Sequence, residues 1–336
     1  MRDVRALGGD IEIERTRDYV RYQINTGSDR ISSALTLLTE ALTNGQYTVE
    51  SLNAAVQDWV DTQKTISTLE QARVLANGIY DLPQKYTLEQ LKAVTPQLAS
   101  RYFQRFFSAK SIVFVCAGEV DNEKIRDQLN YQLAAFVTIG LQLPEMESGI
   151  EPLIADTYGK AYNLNSWAIL AVTAPSSSST EFPAFQLMVA LLGVGHDARL
   201  YRSLRADHGF GYNIGVSYDP ERQAIPLFYV EWSSAIEKSE TSRILVQLIH
   251  SEFEKLANEA PSAVELKRAI AMILSRLKQK QETCHESVLL IGGRELLSPE
   301  MTDEKLTQLL KLVKPTEIQE VAKKYLTHPV EILVGR

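Results

Sequence analysis

The sequence predicts an α+β protein of two tandem, similar domains, each an antiparallel-rich sheet packed on helices. Helical apolar spacing and short β-rich runs alternate along the whole chain. A stretch punctuated by Pro144, Gly149 and Pro152 breaks the pattern near the middle. One segment also occurs twice: "KYTLEQLKAVTPQLASRYFQRFFSAKSIVFVCAG" in the first half corresponds to "EMTDEKLTQLLKLVKPTEIQEVAKKYLTHPVEILVG" in the second. Pro96 matches Pro315, and Tyr102 and Tyr325 lie toward the ends of the corresponding helices. The expected organisation is a first domain over 1–140, a linker over 141–158 and a second domain over 159–336.

In order, Ile11–Ile24 alternates as one or two strands. Ser28–Thr43 carries Ile31, Ala34, Leu35, Leu38 and Leu42 on one helical face. Val49–Lys64 and Thr68–Tyr80 follow as helices, then Thr95–Phe107, opened by Thr95-Pro96. Ser111–Ala117 reads as a buried strand containing Cys116, and Asn122–Phe136 as a helix. After the linker come a strand over Tyr162–Ala174 and a helix over Phe182–Leu192. A further helix ends at His208, Gly209 and Gly211 allow a sharp turn, and strands follow over Asn213–Tyr218 and Ile225–Trp232. Helices over Ser239–Ala257, Ser262–Glu282, His285–Leu297, Asp303–Leu312 and Thr316–Tyr325 lead to a last strand, Val330–Val334. The second half has Tyr158–His208 ahead of its helix–turn–strand, where the first half has only Met1–Leu7. The first domain is therefore expected to be shortened at its N-terminus.

Composition excludes several classes. At 45% hydrophobic and 23% charged, the chain has the material for two ordinary cores. A net charge of −7 without any Lys/Arg block argues against nucleic acid as a partner. No apolar run approaches the ~20 residues of a membrane span. Two cysteines, Cys116 and Cys284, are too few for a disulfide framework and leave the redox compartment open.

No self-sufficient catalytic constellation is present. The five histidines, His196, His208, His250, His285 and His328, form no HExxH or HxxEH motif and no cluster with metal-ligand spacing. GxSxG and a P-loop are also missing, so neither a metal-activated water nor an activated nucleophile can be assembled. The remaining candidates are Arg205 and Tyr212, which the turn could bring to one spot. Arginine offers a fork of donors to a carbonyl or carboxylate, and a tyrosyl hydroxyl can donate to an oxyanion. The same two residues would also suit a helix C-terminus and a half-wet strand edge.

"LLGVGHDARLYRSLRADHGFGYNIGVSYDP" resembles the second-domain signature of the M16 (pitrilysin/insulinase) zinc metallopeptidase family. Asp197-Ala198-Arg199-Leu200, Leu204-Arg205, Gly209-Phe210 and Tyr212 fall into its places. "SAVELKRAIAMILSRL" and "VKPTEIQEVAKKYL…VEILVG" are similar to later family segments, and "RALGGDIEIERTRDYVRYQI" to one in the first domain. The resemblance implies M16/LuxS-like metallohydrolase domains, two pairs of which close into a clam-like chamber. It also implies that Arg205 and Tyr212 face the zinc of the opposite pair and bind substrate. Gly193, Gly195, Arg199, Gly209 and Gly211 would form the loop near that site.

Departures from the family pattern shape the expected function. H-x-x-E-H is absent. The third-ligand glutamate should fall near Thr62, where the sequence offers only Asp61 one residue away, and the substrate-edge Asn-Ala pair is replaced by Glu12-Ile13. The combination resembles a non-catalytic M16B-type subunit with no catalytic or metal-ligating residues of its own. Its expected partners are a zinc-bearing M16 subunit, in a heterodimer, and an unfolded peptide. Alternatives are a structural core subunit of mitochondrial respiratory complex III and the C-terminal half of a longer M16 peptidase. The short glycine loop points to a bacterial periplasm or cell envelope, with a mitochondrial compartment as the alternative. The isolated chain is expected to bind no stoichiometric zinc and to cleave no peptide; stoichiometric zinc in a metal assay, together with proteolysis, would overturn this.

Overall fold

A computed structural model describes residues 8–15, 19–43, 47–65, 87–107, 111–134, 157–160, 166–210, 214–219, 227–234 and 239–335. The helix expected over Thr68–Tyr80, most of the expected linker, and Gly211 and Tyr212 lie outside them. The chain is α+β and divides into two compact units. The first comprises Met1–Thr65, Lys85–Glu145 and Lys280–Leu296; the second comprises Ile66–Gln84, Met146–Gln279 and Leu297–Arg336.

In the first unit, β1 (Asp10–Arg15) and β2 (Val20–Asn25) form an antiparallel hairpin with Ile11 opposite Ile24 and Ile13 opposite Tyr22. The helices are α1 (Ile31–Thr43), α2 (Val49–Thr65), α3 (Leu88–Lys92), α4 (Pro96–Phe106) and α5 (Asn122–Gln132). Helix α1 buries Ala34, Leu35, Thr39 and Leu42, the face its apolar spacing predicts. It meets α5 through side-chain hydrogen bonds: Ser32 donates to Gln128 at 2.7 Å, Thr39 to Gln132 at 2.9 Å, and Gln132 to Thr36 at 2.8 Å. These bonds satisfy groups that would otherwise be desolvated without partners.

The apolar run expected to be a strand over Ser111–Ala117 is not one. Ser111 is a single 3-10 residue and 112–117 has no regular structure. Cys116 is exposed rather than buried, and Val113 is 41% exposed. A strand is defined by hydrogen bonds to a neighbouring strand. Among the described residues of this unit, β1 and β2 pair only with each other, so an apolar, β-prone composition is left without a ladder.

The second unit holds a five-stranded sheet in the order β3-β7-β4-β6-β5. Its strands are β3 (Thr157–Lys160), β4 (Ser166–Thr173), β5 (Ile214–Asp219), β6 (Leu227–Ser234) and β7 (Val330–Gly335). All neighbours are antiparallel except β3 and β7, which run parallel. Strand β3 opens inside the stretch expected to be linker. Its four residues show no apolar alternation, and their strand character comes from β7, far away in sequence. In β4, Ile169, Leu170, Ala171 and Val172 are all buried, as expected of a strand covered on both faces.

Helices α6 (Phe182–Gly193), α7 (Ser239–Asn258), α8 (Ala263–Gln281), α10 (Asp303–Leu312) and α11 (Pro315–Tyr325) pack in this unit, whereas α9 (Cys284–Leu297) falls in the first by contact. Helix α6 is buried almost all round, with Phe185, Leu187, Met188, Leu191 and Leu192 fully enclosed. Around it lie Leu170 and Val172 of β4, Val230 of β6, Ile249 of α7 and Ile318 and Ala322 of α11. Tyr325 meets Phe185 edge-on and donates to Glu181 at 2.6 Å, while Lys324 reaches the same carboxylate at 2.7 Å. The repeated helices α4 and α11 both span 11 residues and open on proline. Their N-terminal bonds differ: Thr95 accepts from the Leu98 amide in α4, and the Lys314 amide donates to Glu317 in α11.

Gly193 ends α6 where the helix closes on β5. A Cβ there would stand 2.3 Å from both γ-carbons of Val216, well inside van der Waals contact. Gly193→Ala is expected to lower stability by about 1–3 kcal/mol through overpacking, seen as a reduced Tm. Adding Val216→Ala should recover part of the loss; full stability of the single variant would show that the contact is not as close as described.

Candidate functional site

The segment carrying the expected site runs from the end of α6 to the start of β5. Gly195 takes φ +88°, and the backbone then re-enters a helical turn, with the Ala198 carbonyl accepting from the Arg202 amide at 2.9 Å. Residues Tyr201–Asp207 form a π-helix, where an ordinary α-helix was expected. Ser203 and Leu204 face inward, while Arg205 is half-buried and Arg202 and Asp207 are exposed. The turn stops at His208, as its sequence suggested, with Gly209 at φ +69°. The Gly209 amide donates to the Arg205 carbonyl at 3.1 Å and the Phe210 amide to the Leu204 carbonyl at 2.8 Å. Each bond spans one residue more than in an ordinary Schellman closure, which matches the wider π turn. Single π turns occur frequently at functional sites.

The loop before the turn is fastened to the start of α8. Arg199 Nε donates to Glu265 Oε1 at 2.9 Å and Nη2 to Oε2 at 3.2 Å, a two-pronged ion pair. Glu265 also accepts from the Ser262 amide and hydroxyl, both at 2.9 Å, and its own amide donates to the Ser262 hydroxyl at 3.3 Å. One carboxylate thus completes a capping box and holds the loop. Arg268, one helical turn on, reaches Asp197 at 3.6 Å. Arg199, expected in the loop near the site, thus fastens that loop to α8. Glu265 was not singled out as a candidate, although the Ser-x-x-Glu spacing of Ser262 and Glu265 marks it as a capping residue. Nothing local in the sequence links it to Arg199.

Arg205 lies against an aromatic platform. Its Cζ stands 5.7 Å from the centroid of the Tyr201 ring, within cation–π range. His196 meets that ring edge-on, with centroids 4.8 Å apart and planes at 71°. His208 Nδ1 donates to the Ser203 carbonyl at 2.6 Å, and its ring stacks with that of Phe210, with centroids 6.3 Å apart. Among the expected site residues the structure thus brings Gly193, Gly195, Arg199, Arg205 and Gly209 onto one connected segment. Gly211 and Tyr212 are outside the described residues.

Zinc is the metal that the family resemblance implies, and the donor set described does not fit it. His196 and His208 are engaged within the turn, His250 packs against Phe253 and His285 is bonded to Gln23 at 2.7 Å. Asp61 accepts from Gln57 at 3.1 Å on an exposed face of α2. Among the described residues no group of three His, Cys, Asp or Glu side chains could hold a metal ion. No helix among them is long and apolar enough to cross a membrane.

A family model described as the Peptidase M16 inactive domain matches residues 93–273, more than half of the chain, which therefore belongs to the M16 peptidase family. Solved structures share the fold at low identity. A protease from Helicobacter pylori matches with TM-score 0.83 and 15% identity over 100% of this chain and 83% of its own. A peptidase M16 inactive domain from Pseudomonas fluorescens matches with TM-score 0.84 and 17% identity over 99% and 82%. The periplasmic protease PqqL of Escherichia coli matches with TM-score 0.72 and 15% identity; 99% of this chain covers 38% of that one. No curated protein gives a significant match.

Glu265 sets a pH dependence. Burial pushes its carboxyl pKa up, but hydrogen bonds from Arg199 and Ser262 outweigh this and hold it at about 2, against an ordinary 4.5. The unfolded state therefore binds the proton more readily. The pair's stabilisation is present above pH ~4.5 and is lost as pH falls toward ~2. Glu265→Gln is expected to cost about 1–2 kcal/mol at pH 7 and to flatten that acid limb. An unchanged pH–stability curve would show that Arg199 contributes nothing through this carboxylate.

Proposed function

We propose that this chain is the non-catalytic, peptide-binding part of an M16-type zinc peptidase, and that Arg205 and Tyr212 act in trans on substrate held at a zinc-bearing partner's site. The observation that carries this reading is the construction around Arg205. A π turn, a left-handed glycine and a two-pronged ion pair hold the segment bearing it, in a domain whose described residues offer no metal site. A chain with no use for Arg205 would have no need of such fastening.

In this role the metal chemistry belongs to the partner. Arg205 would hold a peptide carbonyl or carboxylate through charge-assisted hydrogen bonds, each worth about 1.5–3 kcal/mol. The Tyr212 hydroxyl would donate to the oxyanion that forms as the peptide bond is attacked. The expected substrate is an unfolded peptide, because the closed chamber implied by the family resemblance excludes folded proteins.

The same surface would serve if the two parts were fused in one polypeptide. The match of 99% of this chain to 38% of the Escherichia coli periplasmic protease favours that arrangement as a second reading. Mass spectrometry of the complex purified from the native source separates the two: a separate H-x-x-E-H chain at equal stoichiometry supports the subunit reading, and a single longer polypeptide the fused one.

Arg205→Ala and Tyr212→Phe are each expected to reduce peptide cleavage by the assembled peptidase about ten- to a hundredfold while leaving circular dichroism and Tm unchanged. Unaltered cleavage in both variants would leave the pair with a local structural role only.

A further inference from the structure

We infer that Tyr201 is a positioning residue for Arg205, and that the Tyr201 ring, braced edge-on by His196, sets the direction in which the guanidinium meets a peptide. This rests on the reading of Arg205 as a peptide-binding group. Its basis is three side chains on one short segment: Arg205 Cζ 5.7 Å from the Tyr201 centroid, and His196 4.8 Å from the same ring at 71°. The two residues joined by the cation–π contact are four apart within the π-helix, so the backbone itself places them on one side of the turn.

The chemistry favours a steering role. A long arginine side chain loses substantial rotamer freedom when it binds. A cation over an aromatic face is restrained by the ring's quadrupole, not by a directional donor–acceptor bond. The contact can therefore narrow the orientations of the guanidinium without consuming one of its N–H donors. It depends on the ring and not on the tyrosyl hydroxyl. His196 is exposed and belongs to the loop that Arg199 and Asp197 fasten to α8, so the brace is anchored independently of the peptide.

The test is fluorescence anisotropy of a fluorescein-labelled pool of random-sequence, cysteine-free oligopeptides with the full chain and its variants, each checked for an unchanged melting transition. Tyr201→Leu is expected to weaken binding about three- to tenfold, Tyr201→Phe to retain most of it, and His196→Ala to cause a smaller loss. Arg205→Ala should weaken binding about tenfold or more, and Tyr201→Leu added to Arg205→Ala should cause no further loss. If Arg205→Ala weakens binding but Tyr201→Leu does not, or if the two losses add, Tyr201 does not act through Arg205. Should Tyr201→Leu fail to fold, the exposed His196→Ala and the ring-preserving Tyr201→Phe decide the matter: equal, large losses from both would overturn the ring-based role. If Arg205→Ala changes nothing, or the unaltered chain binds no peptide, the reading of Arg205 fails and this inference with it.

Discussion

The Glu265 carboxylate joins two structures that no local rule would join. It closes the capping box at the start of α8, and it receives both prongs of Arg199 from a loop 66 residues earlier. Because a helix start is rigid once capped, the loop inherits a fixed reference. The π turn that follows leaves the loop with its inner residues Ser203 and Leu204 already committed to the core. At the other end, Gly193 lets α6 approach β5 until only the missing side chain separates the backbone from Val216. The position of Arg205 is thus bounded by a packed contact before the loop and a charged anchor within it.

The core explains why this construction is affordable in the second unit. Helix α6 buries nearly every side chain it has, under a β4 strand buried on both faces. Close packing of this kind resists local adjustment, so an unusual backbone at its margin is held by its surroundings. The first unit is built with different materials. Its α1 and α5 helices meet through serine, threonine and glutamine side chains, and most of the large exposed apolar residues described, including Ile13, Tyr22, Leu98, Tyr102, Val113 and Tyr131, belong to it.

Membership of the M16 family is the setting for the proposed role of Arg205. Among the described residues no group of side chains could hold a metal ion, while the segment bearing Arg205 is tied to α8 by the Arg199–Glu265 pair. Binding and orienting a peptide at another active site would use such a surface, since placement within a fraction of an ångström matters more there than chemical reactivity. The aromatic platform of Tyr201 and His196 extends the same logic from backbone to side chain.

Much was legible in the sequence because it is written locally. Apolar spacing marked the buried face of α1, prolines opened α4 and α11, and Gly209 ended the helical segment at His208. The resemblance singled out Arg205 and its glycine-bounded loop. What the sequence could not decide were pairings between distant residues. The run SIVFVCA has strand composition but no ladder, TYGK has little strand composition yet pairs with β7, and Arg199 finds its carboxylate on α8. Periodicity, caps and turns act over a few residues and leave their mark there; a sheet bond or an ion pair exists only when the fold brings its second partner, and that was settled by the tertiary structure alone.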